Sequence, residues 1–193
     1  MIKLERVCGV LLAAGAGRRA GGPKALRRDP DQTSWLLRSI AVLLDGGCQV
    51  VVVVLGSHSD AARGIIADSV YAGDRRVSVV VTADWRKGMG HSLRAGLLAV
   101  PSREFDAVVV HLVDLPDVNS AVVVRMVRFA SRSGLARAVY RGQPGHPVVI
   151  GSDHWSVILP GLTGDTGARA YLDRHGVNEV ECGDLATGQD HDR

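Results

Sequence analysis

Val10-Leu11-Leu12-Ala13-Ala14-Gly15-Ala16-Gly17-Arg18-Arg19-Ala20-Gly21-Gly22-Pro23-Lys24 passes from an unbroken aliphatic run into a glycine-dense loop that carries three cations. The run predicts a buried parallel strand delivering its loop to the edge of a sheet. Gly15, Gly17, Gly21 and Gly22 leave backbone N–H groups uncovered, so a polyphosphate can approach them closely. Arg18, Arg19 and Lys24 add fixed positive charge, and arginine grips phosphate oxygens in bidentate fashion. The plain alternative is a glycine-rich turn with ordinary surface cations.

Two well-known phosphate loops fit less well. Walker A requires GxxxxGK[ST], whereas Pro23 precedes Lys24 and Ala25 follows it. Gly15-x-Gly17-x-x-Ala20 satisfies the loose dinucleotide fingerprint, which also wants an acid roughly 20 residues on, at the end of the second strand. Ser39, Ile40 and Ala41 occupy that spacing, and the next strand runs out into Leu55-Gly56-Ser57-His58. No acid stands there, so the loop reads as a holder of a nucleoside triphosphate.

Outward from this loop, strands alternate with helices. Strands are predicted over 7–12, 50–55, 77–81 and 107–113, with a helix from Thr33 or Ser34 to Gly46. A second helix, capped by Ser59 or Asp60, runs to about Ser69; a third covers 92–100, and a fourth, capped by Asn119 or Ser120, runs to about Ala130. Beyond Ser131 the pattern becomes a hairpin, 136–140 and 147–150, around Gly142-Gln143-Pro144-Gly145, followed by a last strand over 177–181. The expectation is a Rossmann-like three-layer α/β/α sandwich with a mostly parallel mixed sheet. Its ligands lie beyond the carboxyl ends of the strands.

With 193 residues the chain suits one domain, 1–193, and is short for two. A net charge of +3 and 4% aromatic residues argue against a nucleic-acid surface. Cys8, Cys48 and Cys182 are odd in number and widely spaced, which suits free thiols in a reducing cytosol. Met1 to Arg6 does not read as a signal peptide, and the apolar runs are of strand length, so a cytoplasmic protein without membrane contact is expected.

Asp114 ends a buried aliphatic strand, and Pro116 fixes the turn after it. A carboxylate there needs a metal, a cation or water, and triphosphate chemistry calls for a hard ion such as Mg²⁺. The competing reading is that Asp114 or Asp117 caps the following helix. Transfer to an α-phosphorus needs no enzyme nucleophile: an acceptor oxygen attacks in line and pyrophosphate leaves, so catalysis is positioning and charge stabilisation. Lys24, Arg19 and Asp114 are the candidate catalytic residues. His146 after its turn, and Asp165 with Arg169 around a helix start, suit a polar acceptor. His111, inside a strand, reads as structural, and His91 receives no role beyond its place in a ligand loop.

Leu12-Ala13-Ala14-Gly15 with Arg19-x-Gly21-x-Pro23-Lys24 resembles the opening motif of the molybdenum cofactor nucleotidyltransferases, within the nucleotide-diphospho-sugar-transferase-like group. Asp114-Leu115-Pro116 resembles the family's DxP, whose Asp binds the metal. Trp85-x-x-Gly88-Met89-x-x-Ser92-Leu93 resembles WxxGMxxSL, Gly145-His146-Pro147 resembles GHP, and Gly164-Asp165-Thr166-Gly167-Ala168-Arg169 resembles GDxGAR. Gly188 to Asp192 resembles the start of an element that often supplies a second metal ligand; a disordered acidic tail is the alternative. Departures are Ala20 for the usual Met and Thr82-Ala83 for the usual Asn-Pro.

The resemblance implies nucleotide binding by Leu12, Ala13, Ala14, Gly15, Gly17, Arg18, Gly21, Lys24 and Ser92. It implies acceptor binding by Trp85, Gly88, His146, Asp165 and Arg169, and a Mg²⁺ site of Asp114, Asp190 and Asp192. Ala14, where guanylyl-transferring relatives carry Gly, implies CTP, with molybdopterin as acceptor and a molybdoenzyme client or its chaperone downstream. The rivals are a GTP-dependent transferase of the same fold acting on molybdopterin, phospholactate or a sugar phosphate, and a non-catalytic molybdenum-cofactor-binding module. A dinucleotide-dependent oxidoreductase is disfavoured by the missing acid.

Overall fold

Strands covered on both faces lose the polar alternation of a half-exposed strand, and the aliphatic runs pair accordingly in the computed structural model, which describes residues 5–17, 21–101 and 103–190. Among the described residues, seven strands form one sheet in the order β3-β2-β1-β4-β6-β5-β7. They are β1 (Val7–Ala13), β2 (Val50–Leu55), β3 (Val77–Val81), β4 (Ala107–Leu112), β5 (Leu135–Tyr140), β6 (Gln143–Gly151) and β7 (Asn178–Glu181). β1 is central and parallel to β2 and β4, with Leu11 opposite Val53 on one side and His111 on the other. β6 runs antiparallel between β4 and β5, and β7 is parallel to β5, so the sheet is mixed as expected.

One face of the sheet, with Val7, Leu11, Val53 and Val109, packs under α1 (Trp35–Asp45), α2 (Ser59–Ala67) and α4 (Ser120–Val127). The other, with Val10, Leu12, Val54 and Val110, packs under α3 (Met89–Ala99), α5 (Trp155–Ile158) and α6 (Arg169–Arg174). Two cores separated by a sheet give the three-layer sandwich. The chain crosses from β3 back over β1 to β4, which opens a crevice at the carboxyl end of β1.

Local chemistry sets the element ends. Ser34 caps α1 by accepting the Leu37 N–H at 3.4 Å, and Gly46 ends it where a Cβ would collide with Val123 of α4. α2 begins at Ser59 itself, after a left-handed His58 at φ 53°, so neither Ser59 nor Asp60 is the cap. α3 begins three residues before the expected Ser92, because Gly88, at φ 113°, starts the helix at Met89. The hairpin turn is only Arg141-Gly142, both at positive φ as in a type I′ turn, and Gln143-Pro144-Gly145 already belong to β6. Cys8, Cys48 and Cys182 are buried free thiols. No helix among the described residues is long and apolar enough to cross a membrane.

Candidate active site

β1 ends at Ala13 and releases the chain into Ala14-Gly15-Ala16-Gly17. Gly17 is left-handed at φ 57°, and a side chain there would strike the Gly22 carbonyl. The Gly22 N–H returns to the Gly17 carbonyl at 3.1 Å, so the loop closes on itself. Arg18 and Arg19, which come between Gly17 and Gly22 in sequence, lie outside the described residues, as does Asp192. After Pro23 a 3₁₀ turn, Lys24–Leu26, buries Ala25 and turns the Lys24 side chain across the crevice. Lys24 Nζ donates to Asp114 Oδ2 at 2.6 Å, with side chains only 15% and 19% exposed.

Around this pair lies a crevice of about 470 Å³, bounded by the run from Leu12 to Gly17, Lys24, Trp85, Arg86, Gly88, Met89, Ser92, Asp114 and Asp165. Most of the expected nucleotide residues therefore share one wall; Gly21, though described, does not line it. A second cavity of about 510 Å³ opens beside it between β6, β5 and α6, and holds Gly145, His146, Arg137, Thr166 and Arg169. Leu12, Met89 and Asp165 belong to both, so the two spaces meet at a thin partition. Trp85 and Gly88, expected to bind the acceptor, line the first crevice. Trp85 is seated against Gly56 at the end of β2, where any Cβ would collide with it and with the Ala14 carbonyl.

The glycines of Gly88-Met89-Gly90 serve close approach of backbone. A Cβ on Gly88 would meet the Gly164 carbonyl and Asp165, one on Gly90 the Thr163 backbone, and the Gly90 N–H donates to Gly164 O at 2.8 Å. Ser92 is buried inside α3 and faces the crevice, so it is not the helix cap. Asn119 caps α4, accepting from the Ala121 and Val122 N–H groups at 3.0 and 3.4 Å. Asp114 is thereby released from any capping duty. Asp117 is occupied elsewhere: its Oδ2 accepts both the N–H and the hydroxyl of Thr187 at 2.5 Å.

Burial pushes the His146 ring down to about 4, with the Asp114 charge opposing the shift, and pushes His111 down to about 3. Both rings are neutral near pH 7. The Tyr140 hydroxyl donates to the His146 carbonyl at 2.6 Å and pins the strand that carries it. His91 and Thr82 turn away and line a third cavity, with the Thr82 hydroxyl accepting the Asp84 N–H at 3.3 Å. Arg169 sits on the rim of the second cavity, 73% exposed. Asp190 is exposed at the end of the described chain and lines neither cavity.

A family model for the MobA-like NTP transferase domain matches residues 9–180. The chain belongs to the MobA-like NTP transferase family. Membership supports an enzyme with nucleotidyltransferase activity on a nucleoside triphosphate. Nicotine blue oxidoreductase of Paenarthrobacter nicotinovorans is 35% identical over 98% of this chain and 93% of its own length. Purine catabolism protein PucB of Bacillus subtilis (strain 168) is 31% identical over 85% of this chain and 79% of its own. The crystal structure of Rv0371c from Mycobacterium tuberculosis H37Rv superposes with a TM-score of 0.77 at 27% identity, covering 93% of this chain and 89% of that one. Its manganese complex superposes at 0.74 and 27%, covering 92% and 88%.

In this MobA-like NTP transferase the donor set at the crevice suits a hard divalent ion. Asp114 and Asp165 both line the crevice, and Mg²⁺ prefers few carboxylates completed by phosphate oxygens and water. Among the described residues no group of three His, Cys, Asp or Glu side chains forms an all-protein cage. Two cations of the site are not apparent from motif reading. Arg137, 9% exposed on β5, lines the second cavity and ties α6 and β7 to the sheet through Asp173 at 2.9 Å and Glu179 at 2.6 Å. Its signal is a charge inside the apolar run Leu135 to Tyr140. Arg86 lines the first crevice, and its signal is the neighbouring Trp85.

Proposed function

We propose that residues 1–193 act as one nucleotidyltransferase domain that moves CMP from CTP to the phosphate of molybdopterin, giving molybdopterin cytosine dinucleotide and pyrophosphate. The observation that carries this reading is Lys24 meeting Asp114 at 2.6 Å in the first crevice, beside the second cavity that holds His146. An acceptor phosphate oxygen, entering from the His146 side, forms a bond to the α-phosphorus, and the bond to the bridging oxygen of pyrophosphate breaks. No proton has to leave the acceptor phosphate, so the chain supplies alignment and charge.

Lys24, together with Arg19, neutralises the negative charge that builds on the α-phosphoryl and bridging oxygens. The Gly15–Gly17 backbone cradles the triphosphate, and Ser92 lies at the N-terminal turn of α3, whose positive end faces the phosphates. Asp114 would hold a divalent ion, which when bound offsets phosphate charge; Asp165 lines the same crevice, and Asp190 and Asp192 are the tail residues that would join it. The manganese bound by Rv0371c supports a divalent requirement, with Mg²⁺ proposed here. His146, Asp165 and Arg169 hold the acceptor in the second cavity. Ala14 favours CTP over GTP.

A second reading is favoured by one observation, the oxidoreductase name of a relative that matches 98% of the chain. The test covers both. The protein is incubated with each of the four nucleoside triphosphates, Mg²⁺ and molybdopterin, and pyrophosphate is measured; separately, oxidation of NADH and NADPH is followed with quinoid dyes. Pyrophosphate with CTP supports the transferase. Faster release with GTP overturns the choice of nucleotide, and dye reduction without pyrophosphate overturns the transfer reading.

A further inference from the structure

The turn that carries Asp114 is held from three sides. The Val113 N–H donates to the Leu12 carbonyl of β1 at 3.2 Å, and Arg38 of α1 donates to the Pro116 carbonyl at 3.2 Å. The third hold comes from the chain after β7. Asn119, whose side-chain oxygen caps α4, gives its amide nitrogen to the Leu185 carbonyl at 2.8 Å. Asp117 Oδ2 takes both the N–H and the hydroxyl of Thr187. Leu185 and Ala186 pack against the core, so apolar and polar contacts together lay the strap Leu185–Gly188 on the turn.

The same strap reaches the strand that carries His146. Gly188 is left-handed at φ 64°, and a Cβ there would run into the Cδ2–Cε2 edge of the Tyr140 ring. A Cβ on Gly145 would meet that same edge, and the Tyr140 hydroxyl donates to the His146 carbonyl at 2.6 Å. Burial above all, with the Asp117 charge contributing, keeps this hydroxyl protonated and so a donor.

Asp117 is the polar centre of the joint. Two donors on one carboxylate oxygen make charge-assisted bonds, which are stronger than those between neutral groups. The other oxygen, Oδ1, is buried and has no hydrogen-bond partner among the described residues, which is costly for a carboxylate. A side chain in that state is placed by the packing around it. Asp117 lies three residues past Asp114, lines neither of the two cavities and does not cap α4.

We propose that Asp117 and Thr187 form a latch that positions Asp114 for a divalent ion. Asp117 touches no reacting group. By tying the strap down it holds the Asp114 turn in one conformation, so the ion binds without first having to order that turn. The inference rests on the metal reading above, which assigns the ion to Asp114.

Mn²⁺ alone, titrated into the full chain and followed by the electron paramagnetic resonance of the free ion, tests it, with urea unfolding of each variant alongside. The wild type is expected to bind Mn²⁺, and Asp114→Asn to lose it. Asp117→Ala should weaken Mn²⁺ about tenfold, the low end of what losing an outer partner of a metal ligand costs. Asp117→Asn, whose amide oxygen still accepts from Thr187, should restore most of that affinity. Equal weakening in Asp117→Asn and Asp117→Ala marks a long-range effect of charge and overturns the latch. Unchanged affinity in Asp117→Ala, with or without a loss of unfolding free energy, marks a purely structural tie and overturns it too. Should Asp117→Ala fail to fold, Thr187→Val and Thr187→Ser carry the comparison: the latch stands if only Thr187→Val weakens Mn²⁺ and falls if both or neither do. A wild type that binds no Mn²⁺, or binds it no better than Asp114→Asn, removes the metal reading itself.

Discussion

Lys24 and Asp114 are ninety positions apart in sequence and 2.6 Å apart in space, joining the end of the first loop to the end of β4. Each neutralises the other within the crevice, where both side chains are largely buried. A bound triphosphate would compete for Lys24 while a divalent ion competes for Asp114, so ligands can separate the pair without leaving either charge stranded.

Asp114→Asn should abolish turnover, with the stability change held to about 1–2 kcal/mol because the amide can still accept from Lys24. Lys24→Met should lower kcat by about 10²–10³, the scale of one preorganised donor. Steady-state pyrophosphate release and urea unfolding check both; full activity in Asp114→Asn would refute the metal assignment.

Gly88→Ala should injure the joint between the cavities. At φ 113° an L-residue is strained, and its Cβ runs into the Gly164 carbonyl. A loss of about 1–3 kcal/mol is expected from thermal unfolding, with a raised acceptor KM as the Thr163–Asp165 segment is pushed back.

His111 should leave a signature in the acid limb of stability. Its folded value, about 3, lies below the unfolded value near 6.5, so between these the unfolded chain binds more protons. That contribution is fully present above pH 6.5 and is lost as pH falls towards 3. In His111→Leu the drop in unfolding free energy between pH 7 and 4.5 should shrink by roughly 2 kcal/mol, measured by urea titration at both pH values.

Arg137→Met should loosen α6 and β7 together. Asp173 and Glu179 are half exposed, so water takes over part of the lost pairing and the cost is about 1–3 kcal/mol. Kinetics should show the acceptor KM rising more than the nucleotide KM, because the tether lies under the second cavity.

Much of the architecture was readable in the chain because parallel strands buried on both sides need long aliphatic runs. Val50 to Leu55 has the predicted limits for that reason, and Val77 to Val81, an edge strand with Ser78 and Val81 exposed, has them through its valine run alone. Where tertiary packing decides, reading along the chain fell short. Gly88 was legible only as part of a motif at the start of helix α3, whereas the missing side chains of Gly88 and Gly90 make room for Thr163 and Gly164. Gln143 to Gly145 read as a turn because nothing local reveals that Tyr140 packs over Gly145. Lys24 and Asp114 were legible through their placement at the ends of buried runs. Arg86 and Arg137 were not, since each gains its setting from a partner on another element or from a ring whose position depends on Gly56.

Among the described residues only Leu12 of β1, Met89 of α3 and Asp165 line both cavities, and the rest of each lining is its own. The two chambers can therefore diverge separately: mutations in β6, β5 or α6 remodel one while the glycine loop of β1 stays intact. Such modularity offers a physical route by which one inherited framework comes to serve proteins with names as unlike as nicotine blue oxidoreductase and purine catabolism protein PucB.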